Sequence, residues 1–272
     1  MNKLSKIADF ILKNNMIMFI FFCITAVFLS LHFRYEIIAD FMNYHYFSPW
    51  AFLNGRNFND IAIGIEHSYQ NPLIDMQYYF LVEYFNDNPA VYYTYTGLFY
   101  GFLLFVFYKL CRLIFKPEQK IELFLSVIIA MTGFATLSQI GTSSNEIMLS
   151  VGVLISLYMV YKEIFVLSKE RWLIFMVAGY ILGLMFGLKL TSVTYCVSLG
   201  GTLILFCKKL QTPVKTIVFF AFGGILGFLT SNGYWMYILY NQFGNPFFPF
   251  CNNIFKSPYF FDKFISFNDF YK

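Results

Sequence analysis

An acidic residue, Asp40, lies about eight residues beyond a long apolar run, MIMFIFFCITAVFLSLHF. A carboxylate this close to the lipid boundary is partly desolvated, which suits it to accept a proton as a general base. Asn43 and Tyr44 follow at i+3 and i+4, so they share a helical face with Asp40. The alternative interpretation is a solvated acid beside the membrane.

Two basic residues are candidates for holding an anion. Lys189 ends an apolar run within GLKLT, where a lysine is costly unless it is paired or lies in a wet cavity. The alternative is that its amine extends to the lipid headgroups. Arg56 directly follows Gly55 and is suited to bind either a phosphate or a lipid headgroup.

Further polar residues lie near these in the sequence. Glu66, His67 and Asp75 are candidates for a metal or acid–base site, although no pair has a diagnostic metal spacing, which favours ordinary surface roles. Asn145 and Glu146 begin an apolar segment. They either cap that helix or face the same cavity as Asp40.

The composition defines the class of protein that must position these residues. The chain has 272 residues, of which 58% are hydrophobic and only 12% charged, which predicts an all-α polytopic membrane protein. The five cysteines have neither disulfide nor metal-ligand spacing. No phosphate-binding loop or dinucleotide motif occurs, and nothing indicates nucleic-acid binding.

Apolar runs predict a single transmembrane domain, residues 1–272, with about seven spans. The fifth and sixth runs are separated only by Lys189, and together they are too long for one straight crossing, so they must form a tight hairpin. The predicted spans are about 16–32, 91–115, 122–140, 147–161, 172–188, 190–207 and 217–240.

The charge distribution predicts the orientation. With the N-terminus in the cytoplasm, the inner segments hold 13 of the 19 basic and 5 of the 15 acidic residues, a net charge of +8 inside and −4 outside. The chain is therefore expected in the inner or plasma membrane, with long outer loops at 33–90 and 241–272.

Local signals predict structure within these parts. Ser48-Pro49 reads as the start and Gly55 as the end of a short interfacial helix, and Asn71-Pro72 starts a second one. Small residues at four-residue spacing predict close helix packing; these are Gly179, Gly183 and Gly187, with Gly223 and Gly227 in the last span.

Four pieces in this order resemble the N-terminal half of the GT-C superfamily. They are the acid after the first span with NYHY and NGR, then SYQNPLID, then GLKLT, and finally GNPFFPF with FKSPYF. These relatives are polytopic glycosyltransferases that use polyprenyl-phosphate sugars, and the resemblance is to the bacterial mannosyltransferase-like branch. It covers about residues 35–260.

The resemblance implies roles for particular residues. Asp40 matches by position the acid that deprotonates the acceptor hydroxyl, and Lys189 and Arg56 are the cations that would stabilise the departing lipid phosphate. The substrate-binding candidates are Lys189, Arg56, His45, Asn145, Glu146, Asn71 and Asp75. Some relatives use a divalent metal, for which Glu66 and His67 are weak ligand candidates, along with Glu146.

The implied partners are the lipid bilayer, a polyprenyl-phosphate sugar donor and an acceptor that is an envelope glycan, lipid or protein. Relatives generally have more spans, so one interpretation is a truncated or split member, and the other is a complete enzyme. Two alternatives stay open. One is an inactive fragment that serves as a non-catalytic component of envelope polysaccharide assembly, and the other is a transporter, which clustering of the charges on one side disfavours.

Overall fold

The computed structural model describes residues 14–33, 40–60 and 64–259, and these residues form helices and turns without a β-strand. Parts of both predicted outer loops, 34–39, 61–63 and 260–272, lie outside the described residues. The α-helices are α1 (Asn15–Phe33), α2 (Phe47–Leu53), α3 (Met76–Phe85), α4 (Ala90–Ile114), α5 (Lys120–Thr132), α6 (Phe134–Leu137), α7 (Glu146–Tyr161), α8 (Trp172–Leu188), α9 (Val193–Leu205), α10 (Pro213–Phe243) and α11 (Asn252–Phe255).

Among the described residues, four helices are long and apolar enough to cross a membrane: α1, α4, α7 with its continuation to Leu167, and α10. Helix α8 and the helical segment Leu190–Leu205 are apolar but shorter. The predicted third span, 122–140, is interrupted, because α5 ends at Thr132 and Gly133 is extended before α6 begins. The prediction of an all-helical fold is thus confirmed for the described residues, and four of these helices are compatible with crossing a membrane.

Helices α1 and α4 pack closely and run antiparallel. Gly97 lies against Val27, and a Cβ added at Gly101 would lie 2.6 Å from the Cα atom of Cys23. At the other end of the pair, the amine of Lys109 donates to the Asn15 side chain at 3.1 Å. Small residues let these two backbones meet, which brings the end of α1 beside the start of α4.

Helices α8 and α10 run parallel along the predicted glycine faces. A Cβ at Gly183 would collide with the carbonyl oxygen of Gly224, and one at Gly227 would collide with that of Tyr180. Gly187 faces Ser231 in the same register. The predicted close packing through small residues is confirmed, and it fixes the end of α8 against the middle of α10.

The chain reverses at Lys189, as predicted for a hairpin. Lys189 has an extended backbone between α8 and a 3₁₀ turn that leads into α9. The Cys196 thiol reaches the carbonyl of Leu182 at 3.6 Å, and Leu203 packs in one buried cluster with Leu182. A lysine is therefore held at a sharp turn at one end of the bundle.

The connection between α1 and α4, which we call the outer segment after the predicted orientation, begins as a continuous helix within its described part. Phe41–Tyr46 forms a π-helical turn that leads into α2, and Gly55, with φ of 64°, ends it in the left-handed conformation expected of a C-terminal glycine. The predicted start at Ser48 was wrong, because Ser48 already lies inside α2. The π-helical turn supplies helical backbone before Ser48, so no side-chain cap is needed.

Candidate functional site

The polar residues predicted to act together lie at one end of the bundle. That end is formed by the start of α7, the turn after α8, the C-terminal part of α10 and the segment between α1 and α4. The connection between α1 and α4 carries Asp40, His45 and Asp75. Gln77 links this segment to the bundle, since it accepts a 2.6 Å hydrogen bond from the Tyr95 hydroxyl of α4.

Asp40 lies beside Tyr44 along the π-helical turn. The two residues have the predicted i, i+4 spacing, and the Asp40 carboxylate is close enough to raise the pKa of Tyr44. Burial raises the pKa of Tyr44 well above its usual range, and the nearby charge of Asp40 raises it further. The Tyr44 hydroxyl is therefore protonated at neutral pH. Asp40 is exposed, so the predicted partial desolvation of its carboxylate was wrong.

His45, Asp75 and Asn145 form a buried network. The Asp75 Oδ1 atom lies 2.7 Å from His45 Nδ1 and accepts a 2.6 Å hydrogen bond from Asn145 Nδ2. Their residues are 5%, 6% and 2% exposed, respectively. A buried carboxylate needs such partners, since an unpaired charge away from water is very unfavourable. This network joins the first outer segment to the start of α7.

One atom of this network has no partner. Asn145 Oδ1 is buried and accepts no hydrogen bond from any described residue, while the amide nitrogen is committed to Asp75. A carboxylate accepts hydrogen bonds, so the Asn145 atom that faces Asp75 is the amide nitrogen and the other atom is the oxygen. Asn145 therefore presents a buried acceptor that a hydroxyl group or a water molecule can satisfy.

Lys189 forms an ion pair with Glu146. The Lys189 amine donates to Glu146 Oε1, and the lysine side chain is only 18% exposed while that of Glu146 is 46% exposed. The lysine is paired and does not simply extend to the lipid headgroups. Its charge lies at the junction of α7 and α8, with the half-exposed carboxylate beside it.

Asn71 fastens the outer segment to both glycine-packed helices. Its Nδ2 atom lies within hydrogen-bonding distance of three oxygens: the carbonyls of Gly187 at 3.1 Å and Ser231 at 2.8 Å, and Asn232 Oδ1 at 3.3 Å. Its Oδ1 atom caps the turn by accepting from the Leu73 amide at 3.0 Å. Asn71 is thus a positioning residue, and its partner Gly187 lies two positions before Lys189.

Arg56 lies away from these residues, in a cleft beside α2. It pairs with Asp60 through two hydrogen bonds of 2.5 and 3.1 Å, and its guanidinium lies 5.8 Å from the ring centre of Trp50. The hydrogen bond and charge of Asp60 raise the pKa of Arg56 further. Both candidate cations are therefore already paired with acids.

The weak metal-ligand candidates do not assemble into a metal site. Glu66 and His67 are exposed, His67 Nδ1 lies 2.8 Å from Gln70 Nε2, and its ring stacks on Tyr44 at 4.9 Å. Within residues 14–33, 40–60 and 64–259, no group of three or more His, Cys, Asp or Glu side chains has a geometry that would hold a metal ion.

Sequence reasoning did not predict the contacts that Tyr44 and Gln70 make near the candidate residues. Tyr44 was placed on the face of Asp40 but not in the site, although its position four residues after the acid was the available signal. Gln70 carried no signal, because its contact with His67 depends on the turn at Ile65–Tyr69.

The arrangement places three carboxylates, one ammonium group and an unsatisfied amide oxygen at one end of a helical bundle. Such a set can accept a proton, bind hydroxyl groups and stabilise a departing anion. Compared with known proteins, the chain matches no family model, no curated protein and no solved structure.

Proposed function

We propose that the protein is a membrane-embedded glycosyltransferase that moves a sugar from a polyprenyl-phosphate donor to an envelope glycan, lipid or protein. The observation that carries the proposal is the convergence of residues from distant segments. Asp75 bonds to Asn145, 70 residues away, and Glu146 pairs with Lys189, 43 residues away. The negative charges of Asp40, Asp75 and Glu146 each raise the pKa of Tyr44.

We propose seven crossings and place this end of the bundle outside. The excess of basic residues on the opposite end supports that orientation. Helix α3 and the turn before it expose Leu73, Phe80 and Tyr84, which supports an interfacial position for them because apolar rings favour the headgroup region.

In the proposed reaction, Asp40 removes the proton from an acceptor hydroxyl. The acceptor oxygen forms a bond to the anomeric carbon of the donor sugar as the bond from that carbon to the phosphate oxygen breaks. The lipid phosphate leaves with the bonding electron pair and an added negative charge. Lys189, shared with Glu146, is the cation available at that end to stabilise it.

A transfer assay tests this function. Purified protein in lipid nanodiscs is given polyprenyl-phosphate sugars with labelled hexose, together with an envelope lipid and glycan extract. We expect label to pass to an acceptor with the wild-type chain. No transfer from any hexose donor, with folded protein, would contradict the proposal.

A second candidate is a non-catalytic component of envelope polysaccharide assembly. The pairing of Lys189 with Glu146 and of Arg56 with Asp60 favours it, because neither cation is free to bind a phosphate without sharing its charge. This candidate predicts no turnover with any donor, while deletion of the chain still disturbs the envelope polysaccharide.

A further inference from the structure

A cleft lies between α2, the loop after it and the C-terminal part of α10. It is beside the polar cluster, by which we mean His45, Asp75, Asn145, Glu146 and Lys189. Its volume is about 90 Å³. One wall is aromatic and the other is polar; the residues that matter here are Phe58, Tyr69 and Trp235 on the first, and Arg56, Asn57 and Asp60 on the second. A lining of this kind suits a ligand with one apolar face and several hydroxyl groups.

The aromatic wall is fixed by its own contacts. Phe58 stacks on Tyr69, with ring centres 5.8 Å apart and planes at 19°, and Trp235 Nε1 donates to the Tyr69 carbonyl at 3.0 Å. Phe58 has φ of 63°, which is unfavourable for an aromatic residue, and its ring contacts hold it in that conformation. The wall is therefore formed before any ligand arrives.

The polar wall is close to neutral. Arg56 and Asp60 neutralise each other, yet the guanidinium uses only two of its five N–H groups on Asp60. The remaining donors and the free lone pairs of the carboxylate can bind neighbouring hydroxyl groups. An anionic ligand would instead meet the charge of Asp60, so the charge balance favours a neutral ligand.

The size of the cleft limits the ligand. A volume of about 90 Å³ is far below the roughly 300–1,000 Å³ of pockets that hold drug-sized ligands, so the cleft suits a small ligand such as one ring and not a lipid chain. Tyr69 and Trp235 also line a narrow cavity of about 20 Å³ that reaches Lys189. The cleft is thus separated from the polar cluster by the thickness of these two side chains.

We propose that this cleft binds one neutral sugar ring, with its apolar face against the aromatic wall and its hydroxyl groups on Arg56 and Asp60. The inference rests on the proposed function only in assigning the ring to the acceptor glycan. Binding of the ring itself requires no donor and no turnover.

Tryptophan fluorescence tests the proposal directly. The chain has three tryptophans; Trp235 lines the cleft, Trp50 contacts Arg56, and Trp172 lies at the opposite end of α8. In a Trp172→Phe background, purified protein is titrated with the methyl glycosides of glucose, galactose, mannose and N-acetylglucosamine, and separately with inorganic phosphate. We expect a saturable change with at least one glycoside and none with phosphate.

Two variants locate the site. Asp60→Asn should weaken glycoside binding by about tenfold, the loss of one good polar contact, and should leave Arg56 free to bind phosphate. Phe58→Ala should weaken glycoside binding by a similar factor. Asp87→Asn, at an exposed acid of the same outer segment, is the matched control and should change nothing.

Failure of this inference is distinct from failure of the proposed function. No saturable glycoside response from folded protein, or a response that Asp60→Asn and Phe58→Ala leave unchanged, would overturn the cleft assignment even if transfer occurs. A phosphate response in the wild-type cleft would overturn it as well. Glycoside binding without transfer would contradict only the proposed function.

Discussion

At the scale of single residues, the hydrogen bonds of Asp75 decide whether the polar cluster is stable. Its Oδ1 atom lies within hydrogen-bonding distance of His45 and accepts from Asn145, and all three side chains are buried. Sequence reasoning named all three as candidates but did not connect them, since 30 and 70 positions separate the partners. Only the packing of the outer segment on α7 brings them together.

Removing His45 therefore tests the network. His45→Ala leaves the buried Asp75 carboxylate with one partner fewer, and we expect stability to fall by about 1–3 kcal/mol. Thermal unfolding in detergent measures the change. The matched control is His67→Ala at the exposed histidine, where a change of less than about 0.5 kcal/mol is expected. Equal effects of the two substitutions would contradict the network.

At the scale of helices, the glycine pattern predicted the packing correctly because it is a local signal. Residues four apart lie on one helical face, so Gly179, Gly183 and Gly187 had to share an interface. The break at Gly133 and the π-helical turn at Phe41–Tyr46 had no comparable signal. Both depend on what the backbone packs against, which the sequence does not state locally.

A substitution at Gly183 tests the contact between α8 and α10. Gly183→Ala places a methyl group on the carbonyl of Gly224, and we expect destabilisation of about 1–3 kcal/mol from overpacking. Gly201→Ala in α9 is the control, because no atom lies within 4 Å of its added methyl group. Gly201→Ala should be neutral or slightly stabilising. Unfolding in detergent compares the two, and a neutral Gly183→Ala would refute the contact.

Glu170 stabilises the connection from α9 to α10 by accepting hydrogen bonds from it. Burial alone would raise the pKa of Glu170, but the hydrogen bonds that it accepts from Thr212, Gln211 and Thr216 outweigh burial and lower it. Glu170 lies beside the start of α10, where a negative charge is favourable.

A group with a lowered pKa in the folded state adds stability above its unfolded pKa and loses it as the pH falls through the folded value. We therefore expect the stability difference between wild type and Glu170→Gln to be full at neutral pH. It should shrink below about pH 4.3, the ordinary pKa of a glutamate. Unfolding at several pH values measures it. Glu118→Gln, at an exposed acid, should show no such pH dependence.

At the scale of the whole molecule, charge counting predicted which residues share one end of the bundle. Asp40, Asp75, Glu146 and Lys189 were all assigned to the outer side from basic-residue bias alone. Their mutual contacts were not predictable, because they depend on Asn71 fastening the outer segment to α8 and α10. The pairing of each cation with an acid was also not foreseen.

The proposed orientation predicts the labelling of one cysteine. Cys251 is exposed, while the other four cysteines are buried or half-buried within helical segments. A membrane-impermeant maleimide added to intact spheroplasts should label the wild-type chain but not Cys251→Ser, because the proposal places residue 251 outside. Labelling of Cys251 only after permeabilisation would reverse the orientation and remove the outer site.

The most direct test of glycosyl transfer through this end of the bundle is the turnover of Asp40→Asn. General-base catalysis contributes about 100- to 10,000-fold, so we expect a loss of at least 100-fold in transfer from the polyprenyl-phosphate donor, with thermal stability unchanged. Asp87→Asn should keep wild-type turnover. Transfer by Asp40→Asn at the wild-type rate would contradict Asp40 as the base.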